Sequence, residues 1–221
     1  MFHFFNKKTL IYSSAILCIA GCVADLILIY TFGNQIPGYS QLSTTLSTLG
    51  ISSSPVADQV TVWSVVLGII LIYFAFGFRK LYGKETRITA WLIAIYGFGE
   101  GIASGIFRAD TINGKLTDLG ILHDILGGIG VAAILLFPWV MMKTFMLNSS
   151  CSFYRFSAVV GVIGLLSTLS FGFRLDYFNG TFMHAYIGLW QRIFLADYYV
   201  YFFVIAFMML KKINFIHLTD Q

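Results

Sequence analysis

Charged residues are scarce in this chain. Asp, Glu, Lys and Arg make up 11% of the 221 residues, whereas hydrophobic residues make up 58%. A soluble domain carries roughly 25% charged residues, so there is too little charge here to cover a water-facing surface. The composition therefore excludes a sizeable soluble module. It predicts an integral membrane protein with a single transmembrane domain over residues 1–221.

Cysteine is also rare. The three cysteines are Cys18, Cys22 and Cys151. Their odd number and irregular spacing exclude a disulfide framework. The stretch 19–22, Ile-Ala-Gly-Cys, follows a basic start and an apolar run, which makes Cys22 a candidate for lipidation. The apolar run continues through Tyr30, which favours a plain first helix over a cleaved lipoprotein signal.

Long apolar runs dominate what remains. A membrane-spanning helix needs about 20 mostly apolar residues. Six runs fit and predict an all-α bundle of six transmembrane helices at 9–32, 60–78, 88–106, 119–142, 156–173 and 186–210. Aromatic residues near the ends of these spans, such as Trp63, are typical of the membrane interface.

Lys and Arg are unevenly distributed among the predicted loops. Ten lie at the termini and in the second and fourth loops, namely Lys7, Lys8, Arg79, Lys80, Lys84, Arg87, Lys143, Arg155, Lys211 and Lys212. The other loops contain Arg108, Lys115 and Arg174. The positive-inside rule therefore places both termini in the cytoplasm. The net charge of +4 lies in short loops, so we expect no nucleic-acid partner.

The first outer loop has a pattern of its own. Leu42, Leu46 and Leu49 recur at helical spacing among Ser and Thr residues, and Gly50 follows them. This pattern predicts a short amphipathic helix over 39–50 that lies on the outer interface. A flexible Ser/Thr-rich loop is the alternative.

Ionisable residues interrupt the apolar runs at Asp25, Glu100, His123, Asp124, Arg192 and Asp197. Charge at membrane depth is costly, so such residues usually face the bundle interior and find a partner. At about 1.5 Å of rise per residue, most of them fall in the outer half of the bundle. We expect an outward-facing polar pocket whose candidate ligand-binding residues are Glu100, Arg108, Asp110, His123, Asp124, Gln191 and Arg192. Asp25 and Asp197 are candidate structural ion-pair partners, with Arg192 the available cation.

Small residues predict how the third and fourth spans pack. Gly97, Gly101 and Gly105 recur every four residues, which lets two membrane helices approach closely. Glu100 flanks this glycine face and is expected to point into the bundle. His123 shares a face with glycines of the fourth span, and we expect it to hydrogen-bond across helices.

Two alternatives for the polar cluster remain open. His123, Asp124 and His184 are the right residue types for a divalent metal such as zinc, although their spacing matches no fixed motif and the leading expectation is no cofactor. Asp25, Glu100 and Asp197 could instead carry protons. The sequence leaves open whether the protein is an enzyme.

Three short segments resemble a known family. Tyr39-Ser40-x-Leu42-Ser43 with Ser47-x-Leu49-Gly50, Gly105-x-Phe107-Arg108-x-Asp110 with His123, and Gly188-Leu189-x-Gln191-Arg192-Ile193 resemble motifs of the DUF998 family of bacterial and archaeal membrane proteins of unknown function. Arg108 stands where that family usually has Pro, and Gln191 where Glu is common. The resemblance implies a multi-pass protein of the bacterial inner membrane whose shared residues cluster outside, and it implies no reaction.

These observations favour a protein that binds or handles a lipid or a small amphipathic ligand in the outer pocket, with residues 39–50 as a lid. A metal-dependent membrane hydrolase that acts on lipid and a small proton-coupled transporter are the alternatives. Membrane lipid is the expected partner in every case.

Overall fold

The computed structural model describes residues 7–145, 151–170 and 180–219. Helices dominate them: α1 Lys7–Gly33, α2 Ala57–Tyr82, α3 Arg87–Tyr96, α4 Ser104–Ile106, α5 Asp118–Phe145, α6 Cys151–Leu169, α7 Phe182–Ala185 and α8 Ile187–Thr219. Between them lie two 3₁₀ helices, Leu46–Gly50 and Lys84–Thr86, a π-helix, Gly97–Ala103, and two strands, Thr111–Ile112 and Lys115–Leu116.

Five helices of the described chain are each long and apolar enough to cross a membrane: α1, α2, α5, α6 and α8. They coincide with five of the six predicted spans, and the last part of the fifth predicted span lies outside the described residues. The third predicted span, 88–106, is helical from Arg87 to Ile106 but consists of α3, the π-helix and α4 in succession. No single piece of it has the length of a span.

The helices form a closed ring. Along the chain α1 packs on α2, α2 on α3 and the π-helix, these two on α5, α5 on α6, and α6 on α8, and α8 returns to pack on α1. Each helix thus has two principal neighbours, and its remaining face is apolar and exposed, as at Ile69 on α2 and Phe207 on α8. Such a surface suits lipid and not water.

One half of the ring is filled by aromatic side chains. Phe74, Phe137 and Phe202 are fully buried, and the Phe202 ring centre lies 5.8 Å from those of Phe74 and of Phe137. Packing of this kind contributes beyond the burial of apolar area. Beyond the aromatic residues lie the C-terminal parts of α2 and α8. There the ammonium of Lys212 in α8 lies 4.4 Å from the centre of the Tyr82 ring in α2. We call this the basic end.

The opposite end carries residues 34–56 and 107–117, and we call it the loop end. There the two strands pair antiparallel, Thr111 with Leu116 and Ile112 with Lys115. Asn113 (φ 52°) and Gly114 (φ 75°) make the turn. Asn-Gly favours two positive φ values in a two-residue loop, so this dipeptide is a hairpin signal in the sequence.

The predicted amphipathic helix over 39–50 is wrong. Only Leu46–Gly50 is helical, as a 3₁₀ turn. The hydroxyl of Ser40 accepts hydrogen bonds from the backbone N–H groups of Leu42 and Ser43, both at 3.3 Å. Local bonds of this kind compete with helix formation. The segment packs on the bundle through Leu49, which is 2% exposed.

Glycine contacts confirm the predicted close approach of the third span. A Cβ on Gly101 would lie 2.6 Å from the Cα of Gly68 in α2, and a Cβ on Gly97 would lie 2.8 Å from the Gly68 carbonyl oxygen. A second glycine contact joins the π-helix to α5, where a Cβ on Gly99 would lie 3.0 Å from the Cα of Gly130. The π-helix is therefore held between two backbones.

Gly101→Ala should destabilise the protein. Its added methyl group meets backbone and not a movable side chain, so α2 must shift, at a cost of about 1–3 kcal/mol. Thermal unfolding in detergent should show a lower midpoint. The control is Gly128→Ala in α5, where a Cβ meets nothing within 4 Å and the midpoint should stay unchanged. Equal effects of the two variants would contradict this packing.

Candidate functional site

Arg192, in the first turns of α8, fixes the long loop at the loop end. Its guanidinium donates from Nε to Gln41 Oε1 at 2.9 Å, from Nη1 to the Thr44 carbonyl at 2.9 Å, and from Nη2 to the Tyr39 hydroxyl at 2.7 Å. Nη1 also donates to the Gly188 carbonyl at 2.8 Å. The planar fork of Arg suits such a set of fixed acceptors. Arg192 therefore works as a clamp on the loop.

Neighbouring residues of α8 complete this contact. The Leu189 N–H donates to the Leu42 carbonyl at 2.8 Å, and Gln191 Oε1 accepts from the Leu46 N–H at 2.6 Å. A Cβ on Gly188 would clash with the Thr44 carbonyl, so the loop approaches α8 where a side chain is missing. A Glu at position 191 would accept the same hydrogen bond from the Leu46 N–H, so Gln191 keeps this contact between the loop and α8.

Tyr39, whose hydroxyl accepts a hydrogen bond from Arg192, belongs to the same contact between the loop and α8. Burial raises the pKa of Tyr39, while the charge and hydrogen bond of Arg192 act in the opposite direction. The hydroxyl thus stays protonated and donates to the Thr45 carbonyl at 3.2 Å. Arg192 also lies 5.7 Å from the centre of the Tyr39 ring, within the range of a cation–π contact.

The ion pairs predicted for Asp25 and Asp197 are not formed within the described residues, because Arg192 is committed to the loop. Asp25 accepts from Trp63 Nε1 at 2.7 Å and from the Tyr199 hydroxyl at 2.6 Å. Two neutral donors thus satisfy this buried carboxylate. Asp197 Oδ2 is buried and has no hydrogen-bond partner in the part of the chain that the structure describes.

A cavity of about 130 Å³ lies under the clamped loop. The acidic and basic residues that line it are Asp25, Glu100, Arg108 and His123, with Gln191 beside them. Its apolar wall includes Ile29, Phe32, Leu49, Leu67, Leu71 and Leu195. The residues Leu46, Ser47, Leu49 and Gly50 form its boundary on the loop side. The cavity is therefore amphipathic, with polar groups contributed by α1, the π-helix, α5 and α8.

The π-helix places Glu100 in this cavity. Short π segments often occur at functional sites, because the inserted residue changes which side chains face the interior. The wall behind Glu100 is α5, where a Cβ on Gly127 would lie 2.9 Å from Glu100 Oε2. Glu100 lies close enough to His123 and Asp124 to interact electrostatically with both. The glycines of α5 thus make room for a carboxylate.

His123 hydrogen-bonds across helices, as predicted. Its Nδ1 lies 2.9 Å from the Ser104 carbonyl oxygen and 2.7 Å from that of Phe107. Both partners are acceptors, so Nδ1 carries a proton. In the neutral ring Nε2 is then the acceptor atom. The end of α4 therefore fixes the tautomer of a histidine that lines the cavity.

The remaining candidates tie loops together. Arg108 forms an ion pair with Asp58 at the start of α2. Asp110 accepts from the Ser52 N–H at 2.7 Å and the Ser52 hydroxyl at 2.6 Å, and these bonds hold the pKa of Asp110 below its ordinary value. Arg108 lines the cavity as well, whereas Asp110 does not.

The predicted metal set of His123, Asp124 and His184 is not assembled. No group of three His, Cys, Asp or Glu residues within the described ranges is placed to hold a metal ion. His184 lies in α7, and its backbone N–H donates a hydrogen bond to the Thr181 hydroxyl oxygen at 3.3 Å. Its helix is separate from the cavity lining.

Several residues of the site were missed by the sequence analysis. Trp63 was interpreted as an interfacial aromatic, and Tyr199 lies in an apolar run. The sequence signal for both residues was Asp25, because a carboxylate at membrane depth needs hydrogen-bond donors and these donors can be neutral side chains. Gln41 lies within the segment 39–50, which was predicted from the spacing of its leucines among Ser and Thr residues, and Ser52 follows that segment.

The three motif segments of the sequence meet at the loop end: the segment from Tyr39 to Gly50, the segment from Gly105 to His123, and the start of α8. The family model described as "Protein of unknown function (DUF998)" matches residues 19–208, which includes all three. The chain belongs to the DUF998 family. No curated protein and no solved structure matches it. In this DUF998 protein residues of all three motifs line the same cavity.

The Cys22 alternative can also be placed in this DUF998 chain. Cys22 is fully buried in the core, and α1 continues through it from Lys7 to Gly33. Cleavage before Cys22 would remove the first half of that helix.

Arg192→Lys should release the loop while keeping the charge. A lysine ammonium cannot reproduce the fork, and hydrogen bonds to charged groups contribute about 1.5–3 kcal/mol each. We expect amide hydrogen exchange in residues 40–50 to be at least tenfold faster. Lys115→Gln, an exposed cation at the same end, is the control and should leave this exchange unchanged. Unaltered protection in Arg192→Lys would contradict the clamp.

Proposed function

We propose that this protein binds a small amphipathic molecule, or the polar end of a membrane lipid, in the cavity at the loop end. The observation that carries the proposal is the composition of the lining, which combines Glu100 and His123 with several Leu side chains and Phe32. Ligand sites are typically apolar with a few placed polar groups.

The size of the cavity limits the ligand. Drug-sized ligands occupy pockets of roughly 300–1,000 Å³, whereas a cavity of about 150 Å³ holds a molecule the size of benzene. The 130 Å³ here accommodates a small molecule or one end of a longer one. A hydroxyl or amine would donate to Glu100 and to His123 Nε2, and an alkyl part would lie along Leu67 and Leu195.

In this proposal the segment 39–50 is a lid over the cavity. Its Leu46–Gly50 turn bounds the cavity, and its position depends on hydrogen bonds to Gln191 and Arg192. Opening requires that these bonds break and that Leu49 leaves its packing against Phe32 and Val56, but it leaves the helices in place.

The proposal includes a topology. Arg87–Ile106 is a sixth span in it, because α3, the π-helix and α4 together make 20 helical residues, enough to cross a bilayer. An even number of spans and the basic residues at one end favour both termini in the cytoplasm of a bacterial inner membrane, with the loop end outside.

Filling the cavity should abolish ligand retention. Val60→Trp adds bulk at a cavity-lining position, whereas Val62→Trp, its control, adds the same bulk at a side chain that is 65% exposed. Native mass spectrometry of protein released gently from membranes should show a bound molecule in the wild type and the Val62 variant but not in the Val60 variant. Glu100→Gln, which barely alters volume, should lower its occupancy about tenfold.

Two results would overturn the binding proposal. One is a wild-type protein that carries no bound molecule under conditions that preserve annular lipid. The other is equal retention by the Val60 and Val62 variants, both shown to be folded by thermal unfolding.

Cysteine labelling tests the topology. In a Cys151→Ser background, which removes the exposed native thiol, Lys115→Cys should react with an impermeant maleimide in intact cells. Lys84→Cys, on the other side of Arg87–Ile106, should react only after permeabilisation. Identical labelling of the two positions would show that this segment does not cross the membrane.

A further inference from the structure

A groove between α2 and α3 at the basic end is separate from the site described above. Its lining consists of Ala75, Phe76, Arg79, Arg87, Ala90, Trp91 and Ala94, and its volume is about 40 Å³. Ala75 and Ala90 are buried and form its floor. Phe76 is 63% exposed and Trp91 is 55% exposed, so the groove opens on the outer surface of the ring, where lipid lies.

The two ends of the groove differ in chemistry. Arg79, in the last turn of α2, and Arg87, at the start of α3, place two guanidinium groups at the basic end. From Arg87 to Ala94 the groove runs about 10 Å along the helix over alanines and aromatic rings. A charged end of the groove thus adjoins a narrow apolar part that runs along α3.

The charge at this end of the groove is not neutralised locally. Within the residues that the structure describes, neither guanidinium has an acidic side chain in ion-pair contact. The connection from Arg79 to Arg87 contains Lys80 and Lys84 as further cations and Glu85 as its one acid. Arg pairs with phosphate oxygens through two parallel hydrogen bonds, and basic pockets between membrane helices hold anionic headgroups.

We propose that the groove between α2 and α3 binds an anionic phospholipid, with its phosphodiester between Arg79 and Arg87 and one acyl chain along Ala90, Trp91 and Ala94. Gly83 supports this arrangement. It stops α2 with a φ of 88°, and its N–H bonds to the Arg79 carbonyl at 2.8 Å. The short connection that follows brings the two arginines to one place.

Lipid titration of the full chain tests this proposal. Delipidated protein in neutral detergent is titrated with phosphatidylglycerol or with phosphatidylcholine of the same chains, and bound lipid is counted by native mass spectrometry. We expect one phosphatidylglycerol site that phosphatidylcholine does not fill. Arg79→Gln with Arg87→Gln should weaken it about tenfold or more. Lys80→Gln with Lys84→Gln is matched in charge but lies outside the groove, and it should change the affinity less than threefold.

A third arm tests the acyl contact. Ala94→Phe narrows the groove while both arginines remain, and it should also weaken phosphatidylglycerol binding. Inorganic phosphate at the same concentration should not compete, because it lacks the chain. The proposal fails if the lysine pair matters as much as the arginine pair, which would indicate diffuse surface charge, or if phosphatidylcholine binds equally well. Neither outcome bears on the cavity at the loop end.

Discussion

The guanidinium of Arg192 is the constraint on which the loop end depends. It joins a helix to a loop more than 140 positions away in sequence, through side-chain and backbone acceptors that all belong to neutral groups. Hydrogen bonds of a charged donor are strong where water is scarce. The position of the Leu46–Gly50 turn follows from this clamp, and with it the shape of the cavity beneath.

The buried acid of α1 shows the same preference for neutral partners. Asp25 could have met a cation, yet Trp63 and Tyr199 satisfy it. A buried ion pair recovers its desolvation cost only with excellent geometry and further hydrogen bonds, whereas indole and phenol donors bring apolar area that packs in a membrane bundle. Asp25 is thus satisfied without a cation, whereas the ion pair of Arg108 with Asp58 lies at the loop end.

Much of the fold could be read from the sequence, because long apolar runs such as 119–142 have few alternatives to a membrane helix. The inward position of Glu100 also followed from the glycines beside it. The predictions that failed concern segments whose structure depends on tertiary contacts and not on composition. Leu42, Leu46 and Leu49 have helical spacing. The hydroxyl of Ser40, however, accepts hydrogen bonds from the backbone N–H groups of residues 42 and 43, which competes with helix formation. Arg192 was predicted to pair with a carboxylate or to bind a ligand, and nothing local in the sequence indicates that its acceptors are Gln41, Thr44 and Tyr39.

The aromatic half of the ring gives the cavity a floor. Phe74 and Phe202 lie about one turn beyond the cavity-lining residues Leu71 and Tyr199, and both rings are fully buried. Interiors packed this closely do not yield gradually. The cavity is consequently closed by aromatic rings on the side that faces the basic end. Passage of a molecule from this cavity through the bundle to the basic end would therefore require the aromatic rings to part.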